Sequence, residues 1–179
     1  MQPESYLENA IREFRKMKEL ADKAVAQITA EDFFALLGEE SNSIAIIVKH
    51  VAGNLRSRWM DFLTSDGEKP DRHRESEFVI EDGDTKDGLL ARWEAGWRYL
   101  FDALAPLTSE DLNRTVLIRS EPHTVMQAIN RQLTHYAYHI GQIVFLARHY
   151  AGDKWQSLSI PRGKSEAFNA MMLKKPGKE

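Results

Sequence analysis

Apolar residues recur every three or four positions from Tyr6 to Ile28, through Ala10, Ile11, Phe14, Met17, Ala21 and Ala24, with Lys, Arg and Glu between them. That spacing predicts a long amphipathic helix. A Ser/Asn cap at 41–43 opens a second helix, whose stripe runs through Ile44, Ile47, Val48, Val51, Leu55, Trp59 and Phe62 until Ser65-Asp66-Gly67 stops it. Residues 66–84 are polar and turn-rich, a loop of the kind that joins distant ends of a bundle or edges a site. Thr85 is placed to cap a third helix carrying Leu89, Leu90, Trp93, Trp97, Leu100, Phe101 and Leu104 up to Pro106, with both tryptophans assigned to the core. The stretch TVLIRSEPHTV predicts a short hairpin about a Ser-Glu-Pro turn. Thr124 then caps a fourth long helix reaching Gly152, and Arg148 and His149 in its last turn complement the helix dipole. Ser165 is expected to cap a short C-terminal helix, followed by a frayed KKPGKE tail. The fold class expected is therefore all-α, a four-helix bundle in which residues 1–179 form one domain.

Composition narrows the function. A 42% share of hydrophobic residues in 179 is enough for a single sizeable core. Lys plus Arg number 24 against 27 Asp plus Glu, so the net charge of -3 supplies no broad positive field for nucleic acid or an anionic membrane. With no cysteine, disulfides, thiolate ligands and a cysteine nucleophile drop out together. Any metal must be held by His, Asp or Glu. The amphipathic N-terminal segment is not that of a secretory leader, and no apolar run approaches the roughly 20 residues of a membrane span. A soluble, cytoplasmic protein is expected.

Of six histidines, only His135 and His139 have a spacing with direct geometric meaning. Four residues apart on a helix, they lie on one face, about 5–6 Å apart at Cβ, so two imidazoles can reach one ion. Their stripe also carries Gln132 and Gln142, and borders Ile129, Leu133, Tyr136, Ile140 and Val144. Buried amides there need partners, and both glutamines are candidates for orienting the imidazoles. A polar network with no ion would satisfy the same pattern. His50, among Ile47 and Val51 in the second helix, is the natural third ligand, since two bundle helices can present one and two histidines to a shared ion. Tyr136 stands where a zinc protease helix of the HExxH type has its general-base Glu, which argues against that class. His73, His123 and His149 have ordinary loop, turn and helix-end readings.

With His50 on one helix and HYAYHIGQI on another, the sequence resembles the DinB-like superfamily, also described as YfiT-like metal-dependent hydrolases, over nearly its whole length. The resemblance implies a four-helix bundle with three metal-binding histidines, at His50, His135 and His139, the last followed by the Gly141-Gln142 pair. Within that superfamily, NSIAIIVKHVAGNLRSRWMDFLTSDGEKPDR, NRQLTHYAYHIGQIVFLA and SIPRGKSEAFN resemble a bacterial subgroup that carries a domain-of-unknown-function label. Better understood relatives use a divalent ion to activate a low-molecular-weight thiol, mycothiol or bacillithiol, for transfer to electrophiles.

Three functions follow as expectations. One is a metal-dependent enzyme, activating a thiol for S-transfer or a water for hydrolysis, with one divalent ion, zinc or nickel ahead of iron, cobalt or copper. Hydrolysis would call for a general base, for which Glu39 and Glu40 are near in sequence only, and Arg56, Arg58 and Arg131 are candidates to hold an anionic cosubstrate. The second is a metal-binding stress-response or interaction module without turnover. The third is a bundle with no metal. Leftover apolar positions on the first and fourth helices suggest a homodimer.

Overall fold

The structure, a computed structural model, describes residues 5–173; the expected fraying of 174–179 lies outside the described residues. It is an all-α bundle with one small hairpin. Ser5 opens helix α1 (Tyr6–Val25) with a capping box to Glu8, and Thr29 does the same for a short helix α2 (Ala30–Phe34). Helix α3 (Ile44–Trp59) is capped by Ser43, α4 (Lys86–Leu104) by Thr85, and α5 (Val125–Ala151) by Thr124, each side chain accepting a backbone N–H in the first turn. Between α4 and α5, strands β1 (Thr115–Ile118) and β2 (Glu121–Thr124) pair antiparallel with Thr115 opposite Thr124. Helix α6 (Ser165–Leu173) ends the described chain with no buried residue. Helix α3 packs most closely on α4 and α1 on α5, while contacts between α3 and α5 and between α1 and α4 close the four-helix ring.

The ring closes on an aromatic core. Phe14 of α1, Trp59 of α3, Trp97 of α4 and Tyr136 of α5 are all buried, with Phe14 within 6.0–6.4 Å of the other three ring centroids. Trp59 Nε1 donates to the Tyr136 hydroxyl at 3.1 Å, and that hydroxyl donates to Asn54 Oδ1 at 3.0 Å. Trp59 and Tyr136 therefore keep their polar atoms satisfied inside apolar packing, whereas the buried Nε1 of Trp97 has no partner among the described residues. Among the described residues no helix is long and apolar enough to cross a membrane.

Four boundaries differ from the sequence expectation, the first helix ending at Val25 with its C-cap at Ala26 rather than at Ile28. The second helix stops at Trp59 rather than near Ser65: Met60 turns extended and Asp61 takes φ 49°, while Phe62 still folds back onto Trp59 at 4.7 Å between centroids. The hairpin turns at Arg119-Ser120, not at Ser-Glu-Pro, and both residues have positive φ, the sign pattern of a type I′ turn. Non-glycine residues in that region cost about 1–2 kcal/mol each. Asp66 offsets this, its carboxylate accepting the N–H of Arg119 at 2.8 Å and of Ser120 at 2.6 Å. Ser165 is the first residue of α6 and not its cap, since Phe168 N bonds back to Lys164 O.

The polar loop between α3 and α4 covers the polar side of α3. Lys49 Nζ donates to Asp84 at 2.7 Å, Ser57 Oγ to Gly67 O at 2.8 Å, Arg58 to Glu68 at 3.1 Å, and His50 meets Glu77 at 2.8 Å. So α3 is buried nearly all round, although only one of its stripes is apolar. A 3₁₀ turn over Arg74–Phe78 brings Glu77 to this surface.

Candidate metal centre

Helix α5 delivers His135 and His139 one turn apart, their Nε2 atoms 3.2 Å from each other, and α3 delivers His50 to the same point. One ligand atom from each imidazole lies within 4.8 Å of the others, so the three could hold one metal ion. Donors on a zinc ion, at about 2.0–2.1 Å from it, stand roughly 3–3.4 Å apart, which the His135–His139 spacing meets.

The partners of the outer nitrogens decide which way each ring presents its lone pair. His50 Nδ1 lies 2.8 Å from Glu77 Oε2, and a carboxylate only accepts, so Nδ1 carries the proton and Nε2 is left for the cluster. His139 Nδ1 lies 2.8 Å from Gln142 Oε1, again an acceptor, and its Nε2 faces His135. Gln142 is in turn held by its Nε2, which donates to the Tyr138 hydroxyl at 3.2 Å. Burial pushes His135 down to about 3, helped by the nearby His139 and His50 and by Arg58 and Arg72. Burial also lowers His139, against the Gln142 hydrogen bond and with His50 nearby. Both are neutral near pH 7, as a metal ligand must be.

Glu77 is itself pinned. Burial alone would raise its pKa, but the hydrogen bonds from His50 and from Arg72 outweigh that and hold it below the usual carboxylate range. Arg72 grips it with two bonds, Nε to Oε1 at 2.8 Å and Nη2 to Oε2 at 2.9 Å. Gly53 makes room on α3 for that carboxylate.

Beside the cluster opens a cavity of about 480 Å³ whose wall includes His50, His135, Asn54 and the guanidiniums of Arg58, Arg72 and Arg131. Gln132 also lines it, but its buried Oε1 has no hydrogen-bond partner, in contrast to Gln142. Of the arginines singled out in the sequence, Arg58 and Arg131 reach this cavity, whereas Arg56 pairs with Asp71 at 2.6 Å on another face. Glu39 and Glu40 are exposed in the loop before α3 and are not among the cavity's lining residues. His73 and His149 are exposed and His123 meets Glu121 O of its own hairpin, and among the described residues none of them joins the cluster. Sequence reasoning missed Glu77, which sits 27 residues beyond its partner in a loop without periodicity.

A helical bundle with His50 on one helix and the His135/His139 pair on another is of the DinB-like class. Residues 2–164 match the family described as protein of unknown function (DUF1572), and the chain belongs to that DinB-like family. Among curated proteins, none matches the chain.

Proposed function

We propose that this protein is a divalent-metal-dependent enzyme that activates a low-molecular-weight thiol for S-transfer. The observation that carries the reading is the meeting of three imidazoles, with no carboxylate among them, at the wall of a cavity large enough for a small molecule. His50, His135 and His139 would hold one ion, zinc or nickel ahead of iron, cobalt or copper. Such an ion, when bound, lowers the pKa of a thiol or water in its open position, so that a thiolate or hydroxide forms near neutral pH. The chain's own residues favour the thiol over the water. It has no cysteine, so the sulfur must arrive with a cosubstrate. Glu77, the carboxylate in contact with the cluster, is committed to His50 and Arg72 and held strongly ionised, which makes it a poor general base for hydrolysis. Its role is to orient His50, as Gln142 orients His139.

Elemental analysis of the wild type and of His135→Ala, both purified without tag or chelator, tests the site: about one ion per chain is expected, absent in the variant. Loss of thiol from solution in the presence of an alkylating electrophile then tests turnover. An ion without turnover on thiols or esters favours the binding module, and no ion even after zinc or nickel is added removes the proposal. A homodimer belongs to the same reading, supported by Tyr138 and Phe145, which stand 63% and 66% exposed on α5; a monomer mass in light scattering would remove it.

A further inference from the structure

We infer that the cavity beside the three histidines receives an oxyanion of the substrate, a carboxylate or a phosphate, bound by Asn54 and Arg131. The inference rests on reading the cluster as the reactive centre, but its own support is the polarity of the wall. Trp59 Nε1 can only donate, so the Tyr136 hydroxyl, 3.1 Å away, accepts from it. The single proton of that hydroxyl then goes to Asn54 at 3.0 Å, and the atom facing it must be the amide oxygen. Asn54 is thereby locked with Nδ2 turned away from Tyr136, and among the described residues no protein acceptor takes its two protons. Asn54 is 5% exposed and lines the cavity, so a buried donor of fixed direction is presented there.

The charged groups in the same wall are all guanidiniums. Arg58 and Arg72 are largely matched from behind by Glu68 and Glu77. Arg131, on the exposed side of α5, has no acidic partner among the described residues. Among the acceptors of the wall, the free imidazole nitrogen of His50 is left to the cluster, and Gln132 Oε1, unpaired among the described residues, is sealed from solvent and does not compete. Donors of fixed direction and uncompensated positive charge select a ligand that only accepts, and a guanidinium suits the planar or tetrahedral oxygens of carboxylate and phosphate.

The test is calorimetric titration of the full chain with inorganic phosphate and, separately, acetate, in zinc-supplied and zinc-free buffer, for the wild type, Asn54→Asp and Arg131→Ala. Asn54→Asp keeps an acceptor towards Tyr136 while replacing the donor in the cavity, and Arg131→Ala alters an exposed position, so at least one variant keeps the fold. Saturable binding of either probe, in both metal states, with Kd raised roughly tenfold in each variant, supports the inference; the tighter probe distinguishes carboxylate from phosphate. No saturable binding, or equal Kd in wild type and both variants, overturns it. Binding confined to zinc-supplied protein and indifferent to the variants means that the anion sits on the metal, so the cavity inference fails while the metal reading stands. Variant-sensitive binding in a protein that takes up no zinc supports the inference and sinks the metal reading.

Discussion

Replacing Gly53 by Ala perturbs the hold on His50 without touching an imidazole. A Cβ at this position would collide with Glu77 Oε1 and stand 2.8 Å from Glu77 Cδ, closer than real Cβ contacts come, and 3.3 Å from its Cγ, which is tight. The carboxylate must move, yet it is tied to His50 Nδ1 and to two nitrogens of Arg72. A hydrogen bond to a charged group contributes about 1.5–3 kcal/mol, and Ala is favoured over Gly in a helix interior by about 1 kcal/mol. Loss of the Arg72 bond to the displaced Oε1 therefore leaves a net destabilisation of roughly 0.5–2 kcal/mol. At about 2–4 °C per kcal/mol for a chain of this size, the Tm falls by about 1–8 °C. Metal affinity falls more, by about tenfold to a hundredfold, because the shifted carboxylate carries the acceptor of His50 Nδ1 with it and turns the ring out of its plane. Competition of the protein with a zinc chelator, alongside calorimetric melting, reads both. Gly96→Ala is the control: its Cβ would lie 3.1 Å from two Leu55 atoms and 3.3 Å from Ala52 Cα, so it strains the α3–α4 contact and leaves zinc affinity alone. A Gly53→Ala protein that melts higher than wild type and binds zinc within twofold would refute the argument, since Glu77 would then be free to swing aside at no cost.

Three further outcomes are expected. Asp66 is held below the usual carboxylate range, its burial outweighed by the backbone N–H groups of Glu68, Ser120 and Arg119; a depressed folded pKa gives stability present above the unfolded value of about 3.9 and lost as pH falls through the folded one, so the Tm gap between wild type and Asp66→Asn is full at pH 7 and closes below about pH 4, and a gap that widens on acidification would contradict this. Tyr136→Phe leaves the buried Trp59 Nε1 without its acceptor and costs about 1–3 kcal/mol, read from urea melts with an unchanged m-value. Gly141→Ala, where an added Cβ would meet nothing within 4 Å, stabilises the helix by up to about 1 kcal/mol in thermal melts; a loss of stability would mean that some unseen partner approaches there.

The histidine pair and its bundle were legible because both rest on local rules. Four-residue spacing on a helix dictates a shared face whatever the rest of the chain does, and Thr85 and Thr124 cap their helices through contacts three residues away. What sequence hid was set by distance along the chain. Glu77 reaches His50, and Asp66 stabilises the Arg119-Ser120 turn from 53 and 54 residues away, through a loop with no repeating pattern. The same loop explains why α3 looked one-sided and is buried all round: its polar residues find their partners there and not in water. Gln132 and Gln142 look equivalent in the stripe and diverge in the structure, because only Gln142 follows its histidine by the three residues that bring an amide onto Nδ1.

The two helices that supply the cluster are far apart in the chain but rigid in themselves. His135 and His139 keep their mutual spacing as long as α5 stays wound, whereas His50 depends on α3 remaining beside α5. Anything bound by all three therefore turns the chain from residue 50 to residue 135, with the covering loop, α4 and the hairpin inside it, into a closed circuit. Closing such a circuit removes freedom mainly from the unfolded chain, so an occupant acts as a clasp whose strength rises with its free concentration. Stripping an occupant from the site would loosen the join between the two halves of the bundle before either half, making the hold between α3 and α5, more than the helices themselves, the quantity that an ion bound there would govern.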